Sequence, residues 1–236
     1  MKTSIRNALL LAGVAAAAVM AHQHGGDGPS QASDGSGFVS SDSRPPVAPE
    51  ATVQVVDHRV TVPGYDRSCS AGDGCVFGPA WSDDVRVEGG RNGCDTRNDI
   101  LRRDLEQVEL KDDTQGCVVL TGILIDPYTG QTVQFDRHLN GSEVHIDHIV
   151  PLAAAWDHGA WAWDEERRRD FANDPRNLVA TTAAANQGKG DKMPHQWWPQ
   201  VGECQYATAV LDVTLAYDLT LTQADLHIIT TTLKDC

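Results

Sequence analysis

The sequence predicts an α+β domain of antiparallel strands with flanking helices, stapled by disulfides, and three observations carry that prediction. Between Gly116 and His148 the apolar residues follow a β pattern: runs at 117–125, 131–135 and 143–149 are separated by turn chemistry, including Asp126-Pro127-Tyr128-Thr129-Gly130. Beyond Pro151 the periodicity becomes helical, with candidate helices at 153–156, 164–171, 183–188, 205–217 and 222–233. Six cysteines, an even set, follow a segment that reads as an export signal.

That signal rests on a positive start (Lys2, Arg6), an apolar run at 8–20 and a small-residue site at Val19-Met20-Ala21, so cleavage is expected after Ala21. An uncleaved anchor is the rival reading, but the 13 apolar residues of 8–20 fall short of the roughly 20 a spanning helix needs. Residues 22–50 are Gly, Ser, Asp, Gln and Pro with scarcely an apolar side chain, which predicts a disordered linker. The expected domain is therefore 51–236. Its start, to about Trp81, is apolar in patches broken by Gly and Pro, which predicts an irregular stretch.

Asp95 or Thr96 is available to cap a helix carrying Ile100, Leu101 and Leu105 on one face. Among the 15 pairings six cysteines allow, neighbours in order give the simplest set: Cys69 with Cys75, Cys94 with Cys117, Cys204 with Cys236. No CxxC pair is present, which weighs against a thiolate zinc site. HExxH and GxSxG are absent too, weighing against the usual zinc proteases and α/β-hydrolases.

The formal net charge of −14 weighs against a broad phosphate-binding surface. Residues 1–45 sum to zero (Lys2, Arg6 and Arg44 against Asp27, Asp34 and Asp42), so residues 46–236 carry the whole excess.

The densest chemistry lies in Glu143-Val-His145-Ile-Asp147-His148-Ile-Val-Pro151, then Asn177-Leu-Val-Ala-Thr181, then Asn186-Gln-Gly-Lys189-Gly-Asp-Lys192. Here a strand delivers an acid and an imidazole, and a loop and short helix bring amides and a lysine. Phosphodiester hydrolysis needs a base for water and a hard cation for the charge on the departing oxygen. An imidazole titrates near neutrality, and carboxylate and amide oxygens suit a Mg²⁺-like ion. Successive strand residues point to opposite faces, so Asp147 and His148 share a site only if the strand ends there, which Pro151 permits.

These strings resemble the ββα-metal finger of HNH endonucleases. More of the mature chain, from Gly64-Tyr-Asp-Arg67 through GCDTRNDILRRDL, DPYTG, DHIVPLAAAW, FANDPRNLVA and NQGKGDKMP, resembles secreted bacterial HNH proteins related to the GmrSD C-terminal domain. The resemblance implies a ββα finger within the domain, His148 as catalytic base, Asp147 and Asn186 as metal ligands, and Asn177 as the middle Asn that holds the loop and orients His148. Asn186 lies nine positions after Asn177, a spacing shared with the HNH finger of RNA-guided nucleases. The insert between His148 and Asn177 is longer than in those relatives.

The implied activity is metal-dependent DNA hydrolysis with little sequence preference, leaving a 5′ phosphate and a 3′ hydroxyl. Mg²⁺ is the expected cation and Mn²⁺ the substitute. DNA is the expected partner, RNA stays open, and the expected state is a secreted monomer free of the membrane. Lys189, Arg97 and Asp95 are candidate substrate contacts, each with a structural alternative: solvation for Lys189, a helix cap and salt bridge for the other two. His145 shares a strand face with Asp147 and reads as a supporting residue. Trp156, Trp161, Trp163, Trp197 and Trp198 read as packing residues, and Arg167 to Arg169 as a solvated helix face. The alternative function is a secreted binding protein on an inactive HNH scaffold. An unperturbed imidazole base implies activity falling below about pH 6.

Overall fold

A computed structural model of the chain describes residues 52–68 and 75–236, all within the unit Val47–Cys236. The expected signal peptide, the linker and the Cys69–Cys75 pairing lie outside the described residues.

The order is β1 (Gln54–Val56), α1 (Thr96–Asp104), β2 (Leu105–Leu110), β3 (Val119–Ile125), β4 (Thr132–Asp136), β5 (Val144–His148), α2 (Leu152–Asp157), α3 (Glu165–Asn173), β6 (Leu178–Thr182), α4 (Ala183–Lys189), α5 (Glu203–Ala216), β7 (Thr220–Thr222) and α6 (Gln223–Asp235), with single 3₁₀ turns at Ala160–Ala162 and Pro175–Asn177. β2, β3 and β4 form one antiparallel sheet, β5 and β6 an antiparallel pair, and β1 runs parallel to β7. This is the expected α+β arrangement.

Four strands were not expected, the first being β1 within the stretch read as irregular. Leu105, counted with the helix by its spacing, is extended (φ −93°, ψ 142°) and begins β2. It is buried in either role, so its hydrophobicity does not separate helix from strand. β6 falls where a loop was expected; its five residues find a ladder only against β5, from Val144↔Thr182 to His148↔Leu178. β7 is three residues long and pairs with β1, more than 160 positions away.

Asp95 caps α1 by accepting from Asn98 N at 2.9 Å, and Cys94–Cys117 staples its start. Cys204–Cys236 joins the start of α5 to the end of α6. Two apolar clusters result. One gathers Ile100, Leu101, Val119, Leu124, Val144, Ile146 and Leu178 around α1 and the sheets; the other gathers Ile149, Val150, Trp156, Phe171, Val210 and Ile229 among the helices. β5 passes from the first cluster to the second, and Asp147 and His148 occupy the crossing. Burial of this surface is the main stabilising term.

The turn after β3 is fixed with equal care. Asp126, fully buried, accepts from Tyr128 N, Thr181 Oγ1 and Thr182 N, each at 2.9 Å, tying the turn to the end of β6. On its other side Gly202 has φ +69°, and a Cβ there would stand 2.6 Å from Pro127 O, so only glycine lets α5 start this close. Tyr128 is thus held between a strand end and a helix start.

Candidate active site

β5, β6 and α4 follow one another as strand, strand and helix, with the 149–177 insert between the strands. The ladder continues one step past β5, where Ile149 N donates to Asn177 O at 2.8 Å. Asn177, fully buried, receives Val150 N on Oδ1 at 2.8 Å and returns Nδ2 to Val150 O at 3.2 Å. It pins the bend that ends β5 and so acts on His148 through the backbone, two residues away. Pro151 follows as the cap of α2. Because the strand stops, Asp147 and His148 line one cavity of about 220 Å³ together with Arg67 and Asn186.

Asn186 and Lys189 stand three positions apart on α4 and share the face turned to β5. The Asn186 Nδ2 approaches His145 Nδ1 at 3.2 Å, which commits the amide nitrogen and turns Oδ1 into the spare acceptor. His145 therefore supports Asn186. Lys189 is buried completely: Nζ lies 3.0 and 2.9 Å from the two Asp147 oxygens and donates to His148 O at 2.7 Å. The expected phosphate contact gives way to this internal role, since the ammonium reaches no solvent. Tyr128 OH donates to Asp147 Oδ2 at 2.8 Å. Burial pushes the Asp147 carboxyl up and the Lys189 ammonium down, and each is pulled back by the other's charge.

His148 donates Nε2–H to Ala172 O at 2.9 Å, because a carbonyl only accepts, so Nδ1 keeps the lone pair. Trp81 lies offset and nearly parallel to its ring, with centroids 6.0 Å and planes 10° apart. Burial pushes its pKa from the ordinary 6.5 down to about 3, with the Ala172 bond opposing and the charges of Arg67 and Lys189 assisting. The buried imidazole therefore stays neutral well below pH 6, unlike the unperturbed histidine expected from the sequence.

Asp95 and Arg97 serve the frame. Asp95 caps α1, and Arg97 donates to Gly141 O and Val144 O at 3.2 and 3.0 Å, fastening the start of β5. Neither lines the cavities at His148. Arg167 to Arg169, expected as a solvated face, instead tie α3 to Tyr217 O, Val76 O and Asp84. The residues that sequence reasoning passed over are Tyr128, Arg67 and Trp81. Arg67 and Tyr128 stood in strings carrying the resemblance, Trp81 stood alone at the end of the irregular stretch, and none has a periodicity that marks it.

Among the described residues no group of three or more His, Cys, Asp or Glu is arranged to hold a metal ion. The candidate cation site is thus one carboxylate and one amide oxygen. That donor set fits a hard ion that keeps most of its waters, and poorly fits zinc.

A strand pair followed by a helix, with an acid and imidazole at the strand end and an amide on the helix, defines an HNH-type finger. Residues 95–224 match the family described as GmrSD restriction endonucleases, C-terminal domain, and the chain belongs to that family. It is also 37% identical over 147 residues, 61% of this chain and 68% of the relative, to an "uncharacterized secreted protein" of Arthroderma benhamiae, so the likeness is not confined to bacteria. No solved structure matches the chain.

Proposed function

We propose that this chain is a secreted endonuclease that hydrolyses DNA with low sequence preference, using a divalent cation. The observation that carries the reading is the end of β5 at His148, which turns a carboxylate, an imidazole and the Asn186 amide toward one cavity. His148 Nδ1 takes the proton of a water whose oxygen attacks phosphorus, and the P–O3′ bond breaks. Asp147 and Asn186 would hold the cation, with Mg²⁺ expected and Mn²⁺ the substitute; bound there, it supplies positive charge to the departing oxygen. Arg67, exposed and shared by both cavities at His148, faces the substrate backbone. Secretion is supported by the N-terminal signal pattern, the disulfides and the printed name of the fungal relative.

A second reading, a binding protein on an inactive scaffold, draws on the Lys189 ammonium that already neutralises Asp147. Plasmid nicking separates the two. With Mg²⁺ or Mn²⁺ the wild type is expected to nick, EDTA to stop it, and His148→Ala to lower the rate by about 10²-fold or more. Absence of nicking with either metal would establish the second reading, and undiminished nicking by His148→Ala would remove the base role.

A further inference from the structure

A second cavity of about 230 Å³ also borders His148 and shares Arg67 and Leu152 with the first; it is walled by Phe77, Trp81, Leu152 and Ala172, with Asn173 in its lining. The hydrolytic chemistry described above uses none of these walls. Two features mark it as built. Trp81 has φ +59°, a left-handed backbone that a bulky side chain adopts only when its surroundings impose it. The imposition is visible: Thr96 N and Thr96 Oγ1 hold Trp81 O and Ser82 O at 3.3 and 3.1 Å, and Thr96 opens the helix stapled by Cys94–Cys117. The ring is thereby held beside His148, partly buried and packed against the first apolar cluster, while still lining the cavity.

The second feature is Asn173, 2% exposed, whose Nδ2 donates to Arg169 O at 2.9 Å while its Oδ1 has no hydrogen-bond partner. A buried carbonyl oxygen without a donor is costly unless a ligand supplies one.

We propose that this cavity is a subsite for one unpaired nucleobase next to the scissile phosphate, stacked on Trp81 and donating an N–H to Asn173 Oδ1. The proposal rests on the nucleic-acid reading of the site. A flat apolar wall with one acceptor suits a base: stacking is available to every base, and each carries an N–H donor on its pairing edge. That edge is occupied in a duplex and free in a single strand, so the subsite selects for unpairedness and reads no sequence. Because one face of the cavity is His148 itself, a base seated there brings its own phosphate to the imidazole. An enzyme built this way engages single strands, gaps and frayed ends more tightly than intact duplex.

The test is equilibrium binding in EDTA, where no turnover occurs, using the full chain and three probes of equal phosphate number: a thymidine 12-mer, an abasic 12-mer and a duplex. Trp81→Ala is expected to weaken thymidine-strand binding about tenfold, leave abasic and duplex binding unchanged, and be largely rescued by Trp81→Phe. Equal weakening on all three probes would overturn the subsite, as would no weakening on any. A thermal melt guards against misfolding of Trp81→Ala; should it melt early, Trp81→Phe against Trp81→Leu supplies the same comparison of ring with no ring. Plasmid nicking by the wild type is scored separately. Base-selective binding without nicking would sink the nuclease reading and keep the subsite, whereas nicking with base-blind binding would do the reverse.

Discussion

Lys189 changes how the residue pair at the heart of the site is to be understood. An ammonium with no solvent exposure sits within 3.0 Å of both Asp147 oxygens, so removing it strands a buried carboxylate. Lys189→Met is expected to cost about 3–5 kcal/mol, and the double variant Asp147→Asn, Lys189→Met distinctly less, as read by denaturant unfolding. Equal losses would mean that the pair is not coupled. His148 makes a second prediction. Its folded pKa of about 3 lies below the ordinary 6.5, so the unfolded chain binds the proton first as pH falls. The stabilisation is complete above about pH 6.5 and lost toward pH 3, at about 1.4 kcal/mol per pH unit. His148→Gln, which does not titrate, should flatten the melting temperature across that window, and an unchanged slope would show that His148 is not the group responsible. Of these residues Asp147, His148, Asn177 and Asn186 were legible in the sequence because they fall in short ordered strings. Tyr128, Arg67 and Trp81 were not, because their link to the site is a contact across 19 to 81 positions of chain.

At the scale of elements, the helices and the three strands 119–125, 132–136 and 144–148 follow their periodicity closely, since each has a long enough run of one period. β6 and β7 escape because five and three residues carry too little pattern, and their pairing is decided by partners distant in sequence. The staple on α1 shows how an element far from the chemistry reaches it. Cys94–Cys117 closes 23 residues and anchors the helix start that holds Trp81 O. Cys94→Ala with Cys117→Ala is expected to lower stability by about 3 kcal/mol in denaturant unfolding. A loss near zero would mean that helix packing alone fixes the segment.

For the molecule as a whole, the net charge of −14 is the controlling quantity. Few phosphates meet a cation, so binding should be weak overall and the affinity should fall with added salt along a shallow slope, about one to three counterions by a log–log plot. A slope near ten would reveal a basic surface that the sequence does not contain. The other property of the whole is where the parts of the site come from. The finger itself contributes Asp147, His148, Asn186 and Lys189, but the phenol on Asp147 arrives from the turn after β3 and the carbonyl on His148 from the end of α3. For protein engineering this sets the smallest transferable unit. A graft of strand, strand and helix onto another scaffold would carry the acid, the imidazole and the amide while leaving behind the groups that aim them, so transplantation succeeds only with the surrounding fold.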